Sequence, residues 1–163
     1  MQKFVTNLWF NDNAEEAAKF YASLFENAKI TRTQYYSKSG AKASGMPEGS
    51  VLTVDLELDG TSYIFINGGP TFKLDEAASI MVLCKDQAEI NRLWEALTTD
   101  GGEELYCGWL KDKFGLSCQI VPETINTIDP KENPEAFERM MSVVYNTKGK
   151  LDLAKMEAAY KGE

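Results

Sequence analysis

The sequence predicts an α+β fold built from two βαβββ modules, and three observations carry that expectation. Asn13 to Phe25 (NAEEAAKFYASLF) returns 73 positions later as Asp86 to Thr98 (DQAEINRLWEALT), with Phe20/Leu93, Tyr21/Trp94, Leu24/Leu97 and Glu16/Glu89 at matching helical positions. Each copy follows a short apolar strand, Thr6 to Phe10 in the first and Ser79 to Leu83 in the second. Each copy is followed by about three strand-like segments, whereas a doubly wound repeat would alternate strands with helices throughout. Two copies are too few for a solenoid, so a pseudo-symmetric pair sharing one core is expected.

The elements follow in order. Phe4 to Phe10 reads as a buried strand. Asn13 with Glu16 three residues on reads as a capping box, opening a helix to about Glu26 with Ala17, Phe20, Tyr21, Leu24 and Phe25 on one stripe. Lys29 to Tyr36, rich in Thr and Tyr, is a strand. Residues 37–49 (SKSGAKASGMPEG) form the one loop-like stretch, a lid or a loose connection. Ser50 to Leu58 alternates Leu52, Val54, Leu56 and Leu58 with Thr53, Asp55 and Glu57; Asp59-Gly60 then turns the chain into Thr61 to Asn67. In the second module, strand Ser79 to Lys85 and the Asp86 helix precede strands at Glu104 to Tyr106, Trp109 to Lys111 and Leu116 to Pro122. Asn133-Pro134 starts a helix that stops before Gly149, and Leu151 to Tyr160 is a last amphipathic helix. One domain over residues 1–163 results, with modules at 1–70 and 75–123 and a helical extension at 124–163.

Composition narrows the chemistry. A formal charge of −8 argues against a nucleic-acid partner, which needs clustered Lys and Arg, and against an anionic membrane surface. No signal-like segment or membrane-length apolar run is visible. Three cysteines without zinc spacing point to free thiols and a cytoplasmic location. Histidine is absent altogether, which removes the commonest general base and the commonest transition-metal ligand, and excludes Ser-His and Cys-His nucleophiles.

The runs Leu8-Trp9-Phe10-Asn11-Asp12-Asn13-Ala14-Glu15-Glu16-Ala17, Ser50-Val51-Leu52-Thr53-Val54, Asn67-Gly68-Gly69-Pro70 and Cys107-Gly108-Trp109-Leu110-Lys111-Asp112-Lys113-Phe114-Gly115 resemble PhnB-like proteins. These belong to the glyoxalase/bleomycin-resistance/dioxygenase (vicinal oxygen chelate) superfamily, and the resemblance covers nearly the whole chain. It implies a cupped mixed sheet and a homodimer, often with modules completed across subunits. This branch often carries a demethylubiquinone methyltransferase-like label. Methyl transfer finds little support here, because Gly68-Gly69 leads into Pro70 and not into a helix.

The metal enzymes of that superfamily take ligands from the first and last strands of each module. Carried across the 73-residue repeat, with Gly60 set against Gly115, those positions are Thr6, Ile64, Ser79 and Gln119. Two hydroxyls, an amide and an alkyl group supply no deprotonated donor, so neither metal nor other cofactor is expected. The pocket candidates are then Gln119, an amide among apolar neighbours; Asp55 and Glu57, polar anchors or a general base if they face the cup; and Phe10 and Trp109 as aromatic walls, with Trp9 turned to the helices. Cys107 and Cys118 read as small buried side chains. The expected activity is metal-free binding of a small, partly apolar molecule. The alternatives are an enzyme using Asp55 or Glu57 as base, with or without an atypical divalent metal, and an interaction protein whose cup is filled by its own side chains.

Overall fold

The computed structural model describes residues 3–163, which divide into two compact units, one ending at Leu74 and one spanning Asp75–Glu163. The first unit contains β1 (Thr6–Phe10), α1 (Ala14–Leu24), β2 (Ala28–Tyr35), α2 (Lys38–Ser44), β3 (Val51–Leu58) and β4 (Thr61–Asn67). Its strands form a mixed sheet in the order β1-β4-β3-β2, with β1 parallel to β4 and the other pairs antiparallel. The second unit contains β5 (Ser79–Cys84), α3 (Gln87–Thr98), β6 (Glu103–Glu104), β7 (Trp109–Lys111) and β8 (Ser117–Pro122), followed by α4 (Thr124–Thr127), α5 (Pro134–Asn146) and α6 (Leu153–Lys161). Its sheet repeats the first in the order β5-β8-β7-β6, again with one parallel pair. The two βαβββ modules are therefore present as expected.

Each helix covers one face of its own sheet. In the first unit Val54, Leu56 and Leu58 of β3, Phe65 of β4 and Leu8 and Phe10 of β1 are buried together with Ala17, Ala18, Tyr21 and Leu24 of α1. Phe65 holds the centre, 4.9 Å from the Phe10 ring and 6.0 Å from Tyr21. In the second unit Ile90, Leu93 and Leu97 of α3 are buried, as are Leu110, Cys118 and Ile120 of the sheet. The Asp59-Gly60 turn has positive φ at both residues (45° and 81°), the backbone a two-residue hairpin of right-twisted strands requires.

Three expectations are corrected. The 37–49 stretch contains a helix, α2, whose start is capped by Ser37 accepting from the Gly40 N–H and whose end is Gly45 at φ 78°. Its sequence carries no apolar stripe and it buries no residue, so periodicity could not reveal it. The Asn13 side chain does not cap the helix: the Ala14 N–H donates to Asn67 Oδ1 at 2.8 Å, from the far end of β4. The second copy does have a reciprocal cap, with Asp86 accepting from the Glu89 N–H and Glu89 reaching back to the Lys85 N–H.

The third correction concerns strand alignment. Phe10 pairs with Asn67 and Cys84 with Pro122, so β1 and β5 superpose at an offset of 74 (84 less 10), while the helices keep 73. The cause is one residue fewer between strand and helix: Lys85-Asp86 against Asn11-Asp12-Asn13. A one-residue slip exchanges the two faces of a strand. Thr6 therefore lies on the helix-covered side, beside Tyr63, and the partner of Ile64 across the sheet is Asn7.

Candidate functional site

Because paired residues on neighbouring strands share a face, the registers define the side of each sheet that its helix leaves open. In the first unit one row runs Asn7, Ile64, Asp55, Arg32, and the next runs Trp9, Ile66, Thr53, Gln34. Asp55 and Glu57 thus face away from α1, as the alternation of β3 predicts. Arg32 donates to Asp55 Oδ2 from Nε at 2.8 Å and Nη2 at 2.7 Å, and Lys29 lies 3.4 Å from Glu57. Both partners come from β2 and were not anticipated; a bulge at Thr31 brings Arg32 opposite Asp55. Asp55 Oδ1 is buried without a hydrogen-bond partner. Asp55, Glu57 and Ile64 line a groove of about 340 Å³ with Val5, Thr31 and Ser62.

Phe10 and Trp9 exchange their expected directions. Phe10, 3 % exposed, is in the core under α1, because it shares with Thr6 and Leu8 the face of β1 that the helix covers. Trp9 faces the open side, where its indole N–H donates to the Gly69 carbonyl at 2.9 Å and its ring meets Phe72 edge-on at 5.0 Å. Gly68 lies so close beneath this indole that a Cβ there would fall 2.1 Å from Trp9 Cζ2. The glycine pair therefore serves the packing of a tryptophan. It makes no cradle for a cofactor phosphate, and no helix follows it.

In the second unit the open face carries Met81, Gln119 and Trp109 as one row and Ser79, Ser117 and Lys111 as the next. Gln119 is half-buried and its Nε2 donates to Ser79 Oγ at 2.8 Å. Met81 and Leu83 are exposed to 43 % and 44 %. Lys111 is ion-paired with Glu76; their hydrogen bond raises the ammonium and lowers the carboxyl from their ordinary pKa values. Ser117 is fully buried with its Oγ unpartnered. Of the candidates, the structure gathers Ser79, Gln119 and Trp109 on this face, groups Asp55, Glu57 and Ile64 on the open face of the first unit, and sends Thr6 and Phe10 to the other side.

The corrected strand positions, Asn7, Ile64, Met81 and Gln119, offer no deprotonated donor either. Among the described residues no three Cys, Asp or Glu side chains converge as metal ligands would. The residues do not fit a bound catalytic metal.

The Cys107 to Gly115 segment proves to be a folding device. Cys107 (φ 59°) and Gly108 (φ 80°) form a tight turn. Their N–H groups donate to the carbonyls of Thr147 and Gly149, which fastens the turn to the chain between α5 and α6. Asp112, 2 % exposed, accepts from the N–H groups of Phe114 and Leu116 at 2.9 and 2.8 Å and so shapes the β7–β8 connection. The Cys118 thiol is buried as expected, while Cys107 is only half-buried. A second cavity, about 310 Å³, lies in the helical extension between Ile128, Met140, Met156 and Tyr160.

Comparison with known proteins agrees with this architecture. A profile of the 3-demethylubiquinone-9 3-methyltransferase family matches residues 2–121. The solved structure of a PhnB protein from Bacillus cereus is 31 % identical, covers 74 % of this chain and 98 % of its own, and superposes with a TM-score of 0.65. A Pseudomonas aeruginosa protein at 18 % identity covers 75 % of this chain and 97 % of its own with a TM-score of 0.56, and shares the fold. No curated protein matches the chain. With the profile spanning most of its length and the PhnB structure alongside, the chain belongs to the PhnB-like, 3-demethylubiquinone-9 3-methyltransferase family of glyoxalase-fold proteins.

Proposed function

We propose that this protein binds a small, partly apolar molecule on the open face of its second sheet, without a metal ion. The observation that carries the reading is Gln119: a half-buried amide set between Met81 and Trp109 and oriented by Ser79. Small-molecule sites combine apolar walls with a few placed polar groups, and this face has both. The rival carboxylate base has less support, because Arg32 takes Asp55 Oδ2 twice and Lys29 sits beside Glu57. A homodimer in a reducing cytoplasm is part of the proposal. It is supported by the family resemblance and by three free thiols. Among the described residues no helix is long and apolar enough to cross a membrane.

The test is elemental analysis of untagged protein together with melting scans against Ni, Zn, Mn and Mg and against a fragment collection. The expected outcome is no stoichiometric ion, no metal-specific shift, and fragments that raise Tm through binding to the native state. A stoichiometric ion with a large metal-specific rise would overturn the metal-free reading.

A further inference from the structure

The hydrogen-bond inventory around Gln119 restricts which ligand the face accepts, an inference that rests on the binding role proposed above. Gln119 Nε2 donates one proton to Ser79 Oγ. Ser79 then keeps its own hydroxyl proton, and Gln119 Oε1 keeps its lone pairs. If the amide is turned, Ser79 donates to Oε1, leaving the amide protons and a serine lone pair. Either arrangement leaves both donors and acceptors side by side.

The surroundings offer no net positive charge, since Lys111 in the neighbouring row is paired with Glu76 and also faces the carboxylates of Glu103 and Asp75. Ser117 is a second, independent sign of an unmet polar partner. It is fully buried, stands opposite Ser79 and two residues before Gln119 on the same face, and its Oγ has no hydrogen bond. Buried polar groups are normally paired, so such an orphan marks a place where a further polar group fits. Met81 and Trp109 flank this polar patch with apolar surface.

We infer that the face selects a neutral head group that both donates and accepts, a carboxamide or lactam, carried on an apolar body. A carboxylate offers acceptors only, so it leaves the remaining lone pairs of Gln119 and Ser79 unmet and brings its charge towards the carboxylates around Lys111. An ammonium offers donors only and meets the mirror-image mismatch.

The test uses the full chain, 15N-labelled, titrated with 2-naphthamide, 2-naphthoate and naphthalene while the Gln119 side-chain amide and Trp109 indole signals are followed. The expected result is that 2-naphthamide moves both signals and binds at least about tenfold more tightly than 2-naphthoate, a difference of ~1.4 kcal/mol. Gln119→Leu and, separately, Ser79→Ala should abolish that preference while the Trp109 shift persists. Equal or tighter binding of 2-naphthoate, or a preference that survives both substitutions, would overturn the inference and leave the binding role standing. Failure of all three probes to move either signal would overturn both.

Discussion

Several single residues carry roles that can be measured. Asp112 satisfies two backbone N–H groups from a buried position, and hydrogen bonds to a charged acceptor are among the stronger ones. Asp112→Ala should lower unfolding free energy by roughly 2–3 kcal/mol, and Asp112→Asn by less because one acceptor oxygen remains. Denaturant titration checks both, and equal losses would show that the hydrogen bonds are not the cause. Gly68→Ala places a methyl inside the Trp9 indole and should cost on the order of 1–3 kcal/mol, with an altered Trp9 emission spectrum. Cys84 gives a pH prediction. Burial pushes its thiol from 9.0 up to about 12, so the folded chain holds the proton while the unfolded chain releases it. The native state is thus unaffected by this group below about 9 and loses ground as pH climbs from there towards 12. Melting scans across that window should show a steeper decline for the parent than for Cys84→Ala, and thiol reagents at pH 8 should modify Cys107 before Cys84 or Cys118.

At the scale of elements, the repeat was legible because matched apolar positions recur on two helices, and the alternation of β3 gave its faces correctly. What could not be read was which side of β1 faces α1. That depends on one residue of connection before each helix, and periodicity is blind to a slip that preserves the pattern while exchanging faces. The Asn67 cap was equally invisible, since it joins residues 53 apart in the chain. Gln119, in contrast, could be singled out because an amide among Leu116, Ile120 and Val121 conflicts with its neighbours. The caps yield a direct comparison. Asn67→Ala removes the acceptor for Ala14 N–H and the donor to the Val51 carbonyl, so it should destabilise by about 1–2 kcal/mol. Asn13→Ala, which loses no side-chain cap, should cost only a few tenths. A larger loss at Asn13 than at Asn67, measured by chemical denaturation, would restore Asn13 as the local cap.

For the molecule as a whole, the decisive addition is the helical extension, all of which lies beyond the family match ending at residue 121. Met140 and Val144 of α5 and Met156 of α6 bury Val121 together with Leu151, while Tyr145 stays 65 % exposed and takes no part in that packing. Val121 belongs to the open face, in the row next to Gln119, so the extension covers one end of the surface on which a ligand is proposed to bind. It also supplies the acceptors that hold Cys107 and Gly108, and its linker closes the Tyr106–Lys148 bridge. Trp109 follows directly in sequence, so the extension both walls the face and steadies one of its aromatic sides. Truncation after Glu123 should therefore act on two readouts at once. It should lower Tm by exposing Val121 and unpairing the 107–108 turn, and it should broaden the Trp109 indole signal. A smaller side chain at the contact separates walling from stability: Val121→Ala leaves a cavity costing about 1 kcal/mol or more, yet keeps the helices in place. If the wall matters for recognition, ligand affinity should fall far more on truncation than with Val121→Ala at matched fractions folded. Equal affinity in the truncated chain, measured at a temperature where it remains folded, would confine the extension to a purely stabilising role.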